Sequence, residues 1–351
     1  MRNWFRLAAI VSVFTFGPGL AIERAHALPS SAAFPAVLDE YLTKTARVSD
    51  AERADLAAGK PIAKLLDADQ SKEIAVFGAV WVPSATPEQY GRRVADIESF
   101  ERGGPFIVTK KLSDPPVAAD FSSLVLPDDD IKALRDCKAG DCDVKLGEKG
   151  IEAIRTGIDW TKPTAAADAN ALVRRFALEL VTAYREGGND RLGVYRDKDR
   201  PVFVAKEFRS LVDDVPTFGS VLPDLKQYLL DYPRATLTNA SDIFYWQEAQ
   251  FGVKPTIRLT HLVIQQQPDR TVIASKLLYA SHYFWTALGL RVLLPDPPRG
   301  NGFWLVSVTR SRSDGLSGFT GKFVRGRAQS ESVKGMMTAL TATKGSYEKK
   351  Q

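Results

Sequence analysis

Residues 255–316 constrain this chain more than any other stretch. They read PTIRLTHLVIQQQ, then TVIASKLLYASHYFWTALGLRVLLP, then GFWLVSVTRSRSDGL. The three runs are dense in β-branched and aromatic residues and are separated by Pro/Asp and Pro/Gly turn signals, so they predict antiparallel strands. Strand side chains alternate between faces. Ile257, Leu259, His261 and Val263 therefore share one side, and Arg258, Thr260, Leu262 and Ile264 the other. In the next run, Leu278, Ala280, His282 and Phe284 fall on one face and Leu277, Tyr279, Tyr283 and Trp285 on the opposite one. Both faces are apolar or aromatic, which predicts a sheet covered on both sides. Residues 271–294 are too many for one ordinary strand, so a bend or bulge is expected near Ala280-Ser281, or a break near Gly289.

A chain of 351 residues with 44% hydrophobic content can bury one large core or two modest ones. The formal charge of +5 is spread along the sequence, without the massed Lys and Arg that mark nucleic acid as a main partner. The first 27 residues read as a secretory signal: Arg2 and Arg6, an apolar run from Leu7 to Phe16, a Gly17-Pro18-Gly19 break, and Ala25-His26-Ala27. Cleavage is expected after Ala27, giving a periplasmic or secreted protein; an uncleaved anchor is the alternative. In an oxidising compartment Cys137 and Cys142, in CKAGDC, are most simply a local disulfide. So small a ring contributes roughly 2 kcal/mol in the loop-entropy model.

Past the signal, residues 28–72 read as an N-terminal helical segment, with Val37, Leu38, Tyr41 and Leu42 at helical spacing over 34–58. EIAVFGAVWVP, from Glu73 to Pro83, reads as a strand buried on both faces. Thr86, Pro87 and Gln89 form a capping box with proline in the first turn of a helix, and FIVTKKL follows as a further strand within 73–126. SSLVLPDDDIKALRDC suggests a strand, a turn and a short helix; Asp128, Asp129 and Asp130 there complement the helix dipole better than they suit a metal. Residues 127–232 are mostly helical, with Leu172, Phe176, Leu180 and Tyr184 on one stripe and a polar hairpin at RLGVYRDKDRPVF. Residues 233–344 hold the strand-rich stretch and a closing helix, and 345–351 a polar tail. Asn239-Ala240-Ser241 reads as a turn.

Candidate site residues come from the late strands. Trp304, Val306 and Val308 form an apolar face that Arg310 and Arg312 continue, a wall suited to a greasy ligand with an anionic head. The competing reading pairs both arginines with Asp314 or Asp242 at a solvated strand end. Tyr279, His282 and Phe284 join Trp304, Arg310 and Arg312 as candidate ligand contacts. His261 and His282 are candidate acid/base groups with Glu248 as a partner; a histidine hydrogen-bonded within the core is the alternative for each. In the tail, Phe319, Phe323, Val333, Met336, Met337 and Leu340 recur at roughly helical spacing, interleaved with Lys322, Arg325, Arg327 and Lys334. Such a helix packs on the sheet or rests on an anionic membrane.

The strand ending Val82-Pro83, the capped helix from Pro87, the late antiparallel run and the closing helix resemble the helix-grip superfamily of START-type lipid-transfer domains and polyketide cyclases. SRSDGL and YASHYF also resemble segments of uncharacterised exported bacterial proteins. The superfamily resemblance implies an α+β fold, a curved antiparallel sheet gripping a long C-terminal helix, here with a helical insertion. It implies an exported protein that binds a hydrophobic or amphipathic, lipid-like small molecule between sheet and helix. Two alternatives stand beside it: a cyclase- or hydrolase-type enzyme using a histidine in that cavity, and an envelope-associated protein docking through its basic helix. Neither a metal nor a cofactor is called for.

Overall fold

In a computed structural model, which describes residues 34–215 and 218–348 apart from the side chains of Phe251 and Phe319, the late strands are part of a larger sheet. Its strands are β1 Ile62–Leu65, β2 Glu73–Pro83, β3 Phe106–Lys111, β4 Ala240–Phe251, β5 Lys254–Gln267, β6 Arg270–Ala280, β7 Phe284–Pro295 and β8 Gly302–Ser313. The spatial order is β1-β2-β8-β7-β6-β5-β4-β3, and every neighbouring pair is antiparallel. Strands β4 to β8 follow one another as a meander. Both ends of the sheet are completed by strands from the first third of the chain.

The helices are α1 Ala36–Glu40, α2 Asp50–Ala57, α3 Pro87–Ala95, α4 Asp128–Arg135, α5 Glu148–Gly157, α6 Ala165–Gly187, α7 Val204–Asp213, α8 Pro223–Asp231 and α9 Gly318–Glu348, with single-turn pieces between. The protein is thus α+β, with an eight-stranded antiparallel sheet and a long C-terminal helix. The signal-like first 27 residues lie outside the described ones. Among the latter, no helix is long and apolar enough to cross a membrane. Cys137 and Cys142 are joined in a disulfide.

The sheet has two unlike faces. On the front, Phe77, Trp81, Trp304, Val306, Leu290 and Val263 pack against α1, α2 and the helical block, forming one continuous core. On the back, Val80, Val82, Leu262, Ile273, Leu293 and Phe303 pack against α3 and the end of α9. Helix α9 crosses β2 and β1 at Gly78. A Cβ there would lie 2.7 Å from both Leu340 and Met336, so glycine lets helix and sheet approach. The first turns of α9 are less committed. Phe323 is 73% exposed and Val324 52%, so the apolar spacing of the tail does not translate into a single buried stripe.

Several local expectations change. The helix foreseen over 34–58 breaks where Arg47 takes a φ of 46°, and a π turn, Tyr41–Thr45, precedes the break. Residues 122–126 form no strand, although Leu124 and Leu126 are buried. The 271–294 run does divide at residues 281–283, where Tyr283 takes a φ of 60°. The ladder between β5 and β6 also slips one residue: Leu259 pairs with Tyr279 and Thr260 with Leu277. Leu278 and Tyr279 consequently both pack against the front core, whereas strict alternation puts them on opposite faces.

Candidate functional site

A pocket of about 250 Å³ lies on the front face, opposite the face that α9 covers. Its sheet side is Leu290, Val292 and Leu294 of β7 with Val306 and Val308 of β8. Strand alternation delivers these five to one face. Its other wall comes from Val37, Leu38 and Tyr41, whose helical spacing was legible, and from Phe218, Val221 and Leu222. Those last three sit in a short segment that carries no motif. Glu40 and Arg270 are the charged residues in the lining, and each is paired with a neighbour: Lys44 at 2.9 Å and Asp269 at 2.5 Å. Tyr41 lies within electrostatic reach of Arg310. Burial nevertheless pushes its hydroxyl up to about 12, so it stays protonated.

The two arginines that extend this strand face do not present an anion site. The Glu73 carboxylate, fully buried, lies 2.6 Å from Arg310 Nε and 3.0 Å from Arg312 Nε. Arg312 also donates to Glu207 at 2.9 Å and to Asp214 at 2.6 Å. Three carboxylates thus surround the two guanidiniums, and Glu207 also faces Lys72 at 4.0 Å. Arg310 and Arg312 are indeed paired, but buried and not at a solvated strand end, and with partners other than those foreseen. Asp314 takes Lys145 and Trp285, while Asp242 takes His261 and Tyr228.

His261 belongs to a buried chain of polar groups. Its Nε2 faces Asp242 at 2.7 Å and its Nδ1 faces the Tyr184 hydroxyl at 3.1 Å. Lys276 Nζ donates to that hydroxyl at 3.0 Å, to Leu229 O at 3.3 Å and to Asn189 Oδ1. Facing the Asp242 carboxylate, Nε2 carries the hydrogen, and in the neutral ring Nδ1 then accepts from the Tyr184 hydroxyl. Burial lowers the His261 pKa, outweighing Asp242, and pushes Lys276 well below the usual lysine value. Although burial opposes it, hydrogen bonds from His261 and Tyr228 hold Asp242 below the usual carboxylate range.

His282 is clamped differently. Its Nδ1 is 3.0 Å from Asp143 O, and its Nε2 lies 2.9 and 3.0 Å from the two oxygens of Asp130. Asp130, foreseen only as a helix-dipole partner, is therefore the buried anchor of this ring. Glu248 is bonded to neither histidine; burial, reinforced by Asp130, raises its pKa. Both imidazoles are sealed from solvent and outside the pocket lining.

None of the six foreseen ligand contacts lines the pocket. Tyr279 donates to Lys145 O at 3.0 Å, and His282 is held as above. Phe284 is half-buried beside Tyr283. Trp304 is enclosed by Phe34, Trp81 and the Arg299 guanidinium and donates to Asp296 at 2.9 Å. Arg310 and Arg312 are consumed by Glu73. The strand face named from the sequence does reach the pocket, through Val306 and Val308. Compared with known proteins, the chain matches no family model and none of the curated proteins.

Proposed function

We propose that this is an exported protein that binds a small, uncharged apolar molecule in the front-face pocket. What carries the reading is the pocket's lining: aliphatic and aromatic side chains with Ser220 among them, and two charged residues each ion-paired with a neighbour. The anionic head expected of the ligand has no partner here, because Glu73, Glu207 and Asp214 occupy both arginines. A volume of about 250 Å³ lies between the ~150 Å³ cavity that accepts benzene and the ~300–1,000 Å³ of drug-sized sites. The reading therefore names a ligand of one or two rings, or a short branched chain, with at most a hydroxyl for Tyr41. Export rests on the signal-like residues 1–27.

Native mass spectrometry of the protein purified from its own host tests this. An adduct that organic extraction removes, and that is lost in Val306→Trp, is expected. If the wild type carries no adduct and naphthalene and indole leave its melting temperature unchanged, the reading fails.

A further inference from the structure

The back of the sheet holds a second feature, independent of the front-face pocket. Strand β7 is interior, paired with β8 on one side and β6 on the other. Arg291 sits in it between Ser307 and Ile273. Its guanidinium lies 5.4 Å from the centre of the Phe100 ring, and its side chain is 26% exposed. Its ion-pair partner among the described residues is Glu101, at 4.0 Å, which is beyond hydrogen-bond range. The Arg291 side chain makes no hydrogen bond to any described residue. Its donors, in a side chain 26% exposed, are therefore within reach of a molecule arriving from solvent and are not taken up by the protein.

Glu101 does not resolve this, because it is engaged elsewhere. Its second oxygen accepts from Gln247 Nε2 at 2.5 Å, and the same amide donates to Thr109 at 3.1 Å. Gln247 Oε1 is left buried without a partner. Arg258, on the same face opposite Gln247, brings a second positive charge, and the Tyr245 phenol lies within electrostatic reach of both arginines and Glu101. Beside Arg291 the sheet is floored by small side chains. Ser275, Gly289 and Thr309 stand side by side on β6, β7 and β8. Thr309 is exposed, although β8 is an interior strand. A Cβ built on Gly289 would meet only Ser275, at 3.7 and 4.0 Å, so the space above it is open.

We propose that the back face is an oxyanion-binding site in which Arg291 receives the carboxylate or phosphate group of a small ligand. The planar fork of an arginine matches either group with two parallel hydrogen bonds, which a 4.0 Å carboxylate does not supply. The open floor of Ser275, Gly289 and Thr309 gives the ligand's body a place beside the anchor. Helix α3 and the segment carrying Phe100 and Glu101 close one side.

The full chain is titrated with inorganic phosphate and, separately, with acetate, at constant ionic strength made up with chloride. The side-chain Nε–H resonance of Arg291 is followed by NMR and the heat of binding by calorimetry. One or both anions should shift that resonance saturably, and the arm that responds tells phosphate from carboxylate. Arg291→Met should raise Kd at least tenfold. Arg270→Met, at the front pocket, should leave it unchanged. Glu101→Gln, which keeps an amide for Gln247 but removes the competing charge, should tighten binding several-fold and serves if Arg291→Met does not fold. The proposal is overturned if neither anion moves the resonance more than chloride does, or if Arg291→Met or Glu101→Gln binds as the wild type does. Because Val306 and Arg291 lie on opposite faces, either site's failure leaves the other's result standing.

Discussion

Replacing Glu73 by Gln is the sharpest test of how this sheet is held together. The substitution keeps the volume and removes one buried negative charge lying between two guanidiniums, 2.6 Å from one and 3.0 Å from the other. Arg312 retains Glu207 and Asp214, so its loss is partial. Arg310 has no other ion-pair partner among the described residues and becomes a buried, uncompensated cation. Breaking a buried pair on one side costs about 3–5 kcal/mol, nearly all of it the stranded charge. At a urea m-value of about 3 kcal/mol/M, that is a fall of roughly 1–2 M in the unfolding midpoint. The double variant Glu73→Gln/Arg310→Met should recover about half of the loss, since Met fills the space without needing a counter-ion. Midpoints from circular dichroism for the four corners of this cycle decide the matter. A loss below about 1 kcal/mol for Glu73→Gln, or a double variant no more stable than the single one, would refute the stranded-charge account.

Two further outcomes follow from local geometry. Gly188, just past α6, has a φ of 62°, and a Cβ there would fall 1.7 Å from the Tyr232 carbonyl oxygen; Gly188→Ala should cost at least about 2 kcal/mol, measured by thermal melting. The lowered His261 pKa means that the unfolded chain binds a proton below about pH 6.5 that the native protein refuses, so stability should fall as pH drops from 6.5 toward 5. His261→Gln offers Asp242 a donor and Tyr184 an acceptor without titrating, and it should flatten that slope in urea titrations. An unchanged slope would show that other groups govern this window.

What could be read from the sequence was what short-range chemistry decides. The Thr86–Gln89 capping box, the apolar run of β2, the cysteine pair and the stop of α6 at Gly187-Gly188 depend on residues within a few positions of one another. Strand β4 was missed because Gln247 and Glu248 interrupt its apolar pattern, and because Asn239-Ala240-Ser241 looked like a turn; Asn239, with a φ of 54°, is one, but the strand begins at the next residue. The length of the run called for a bend or bulge near Ala280-Ser281, but nothing in its alternation marks the slip at Leu278 itself. The partners of Arg312 lie 98, 105 and 239 positions away, so no spacing rule finds them. The pocket was half legible. Val306 and Val308 were named as part of a ligand wall; of the opposite wall, Val37, Leu38 and Tyr41 showed a helical spacing, while Phe218 and Val221 carry no signal beyond their apolar content.

The placement of β2 bears on how the chain reaches its native state. The partners Glu73 and Arg310 are separated by 237 positions, and β2 has no neighbour in the sheet besides β1 and β8. During synthesis, EIAVFGAVWVP therefore emerges long before the strand that will cover its longer edge. A hydrophobic edge left waiting in this way invites pairing with other chains. Holding the polypeptide apart from its siblings until its last fifth arrives is thus a requirement that the topology places on the cell.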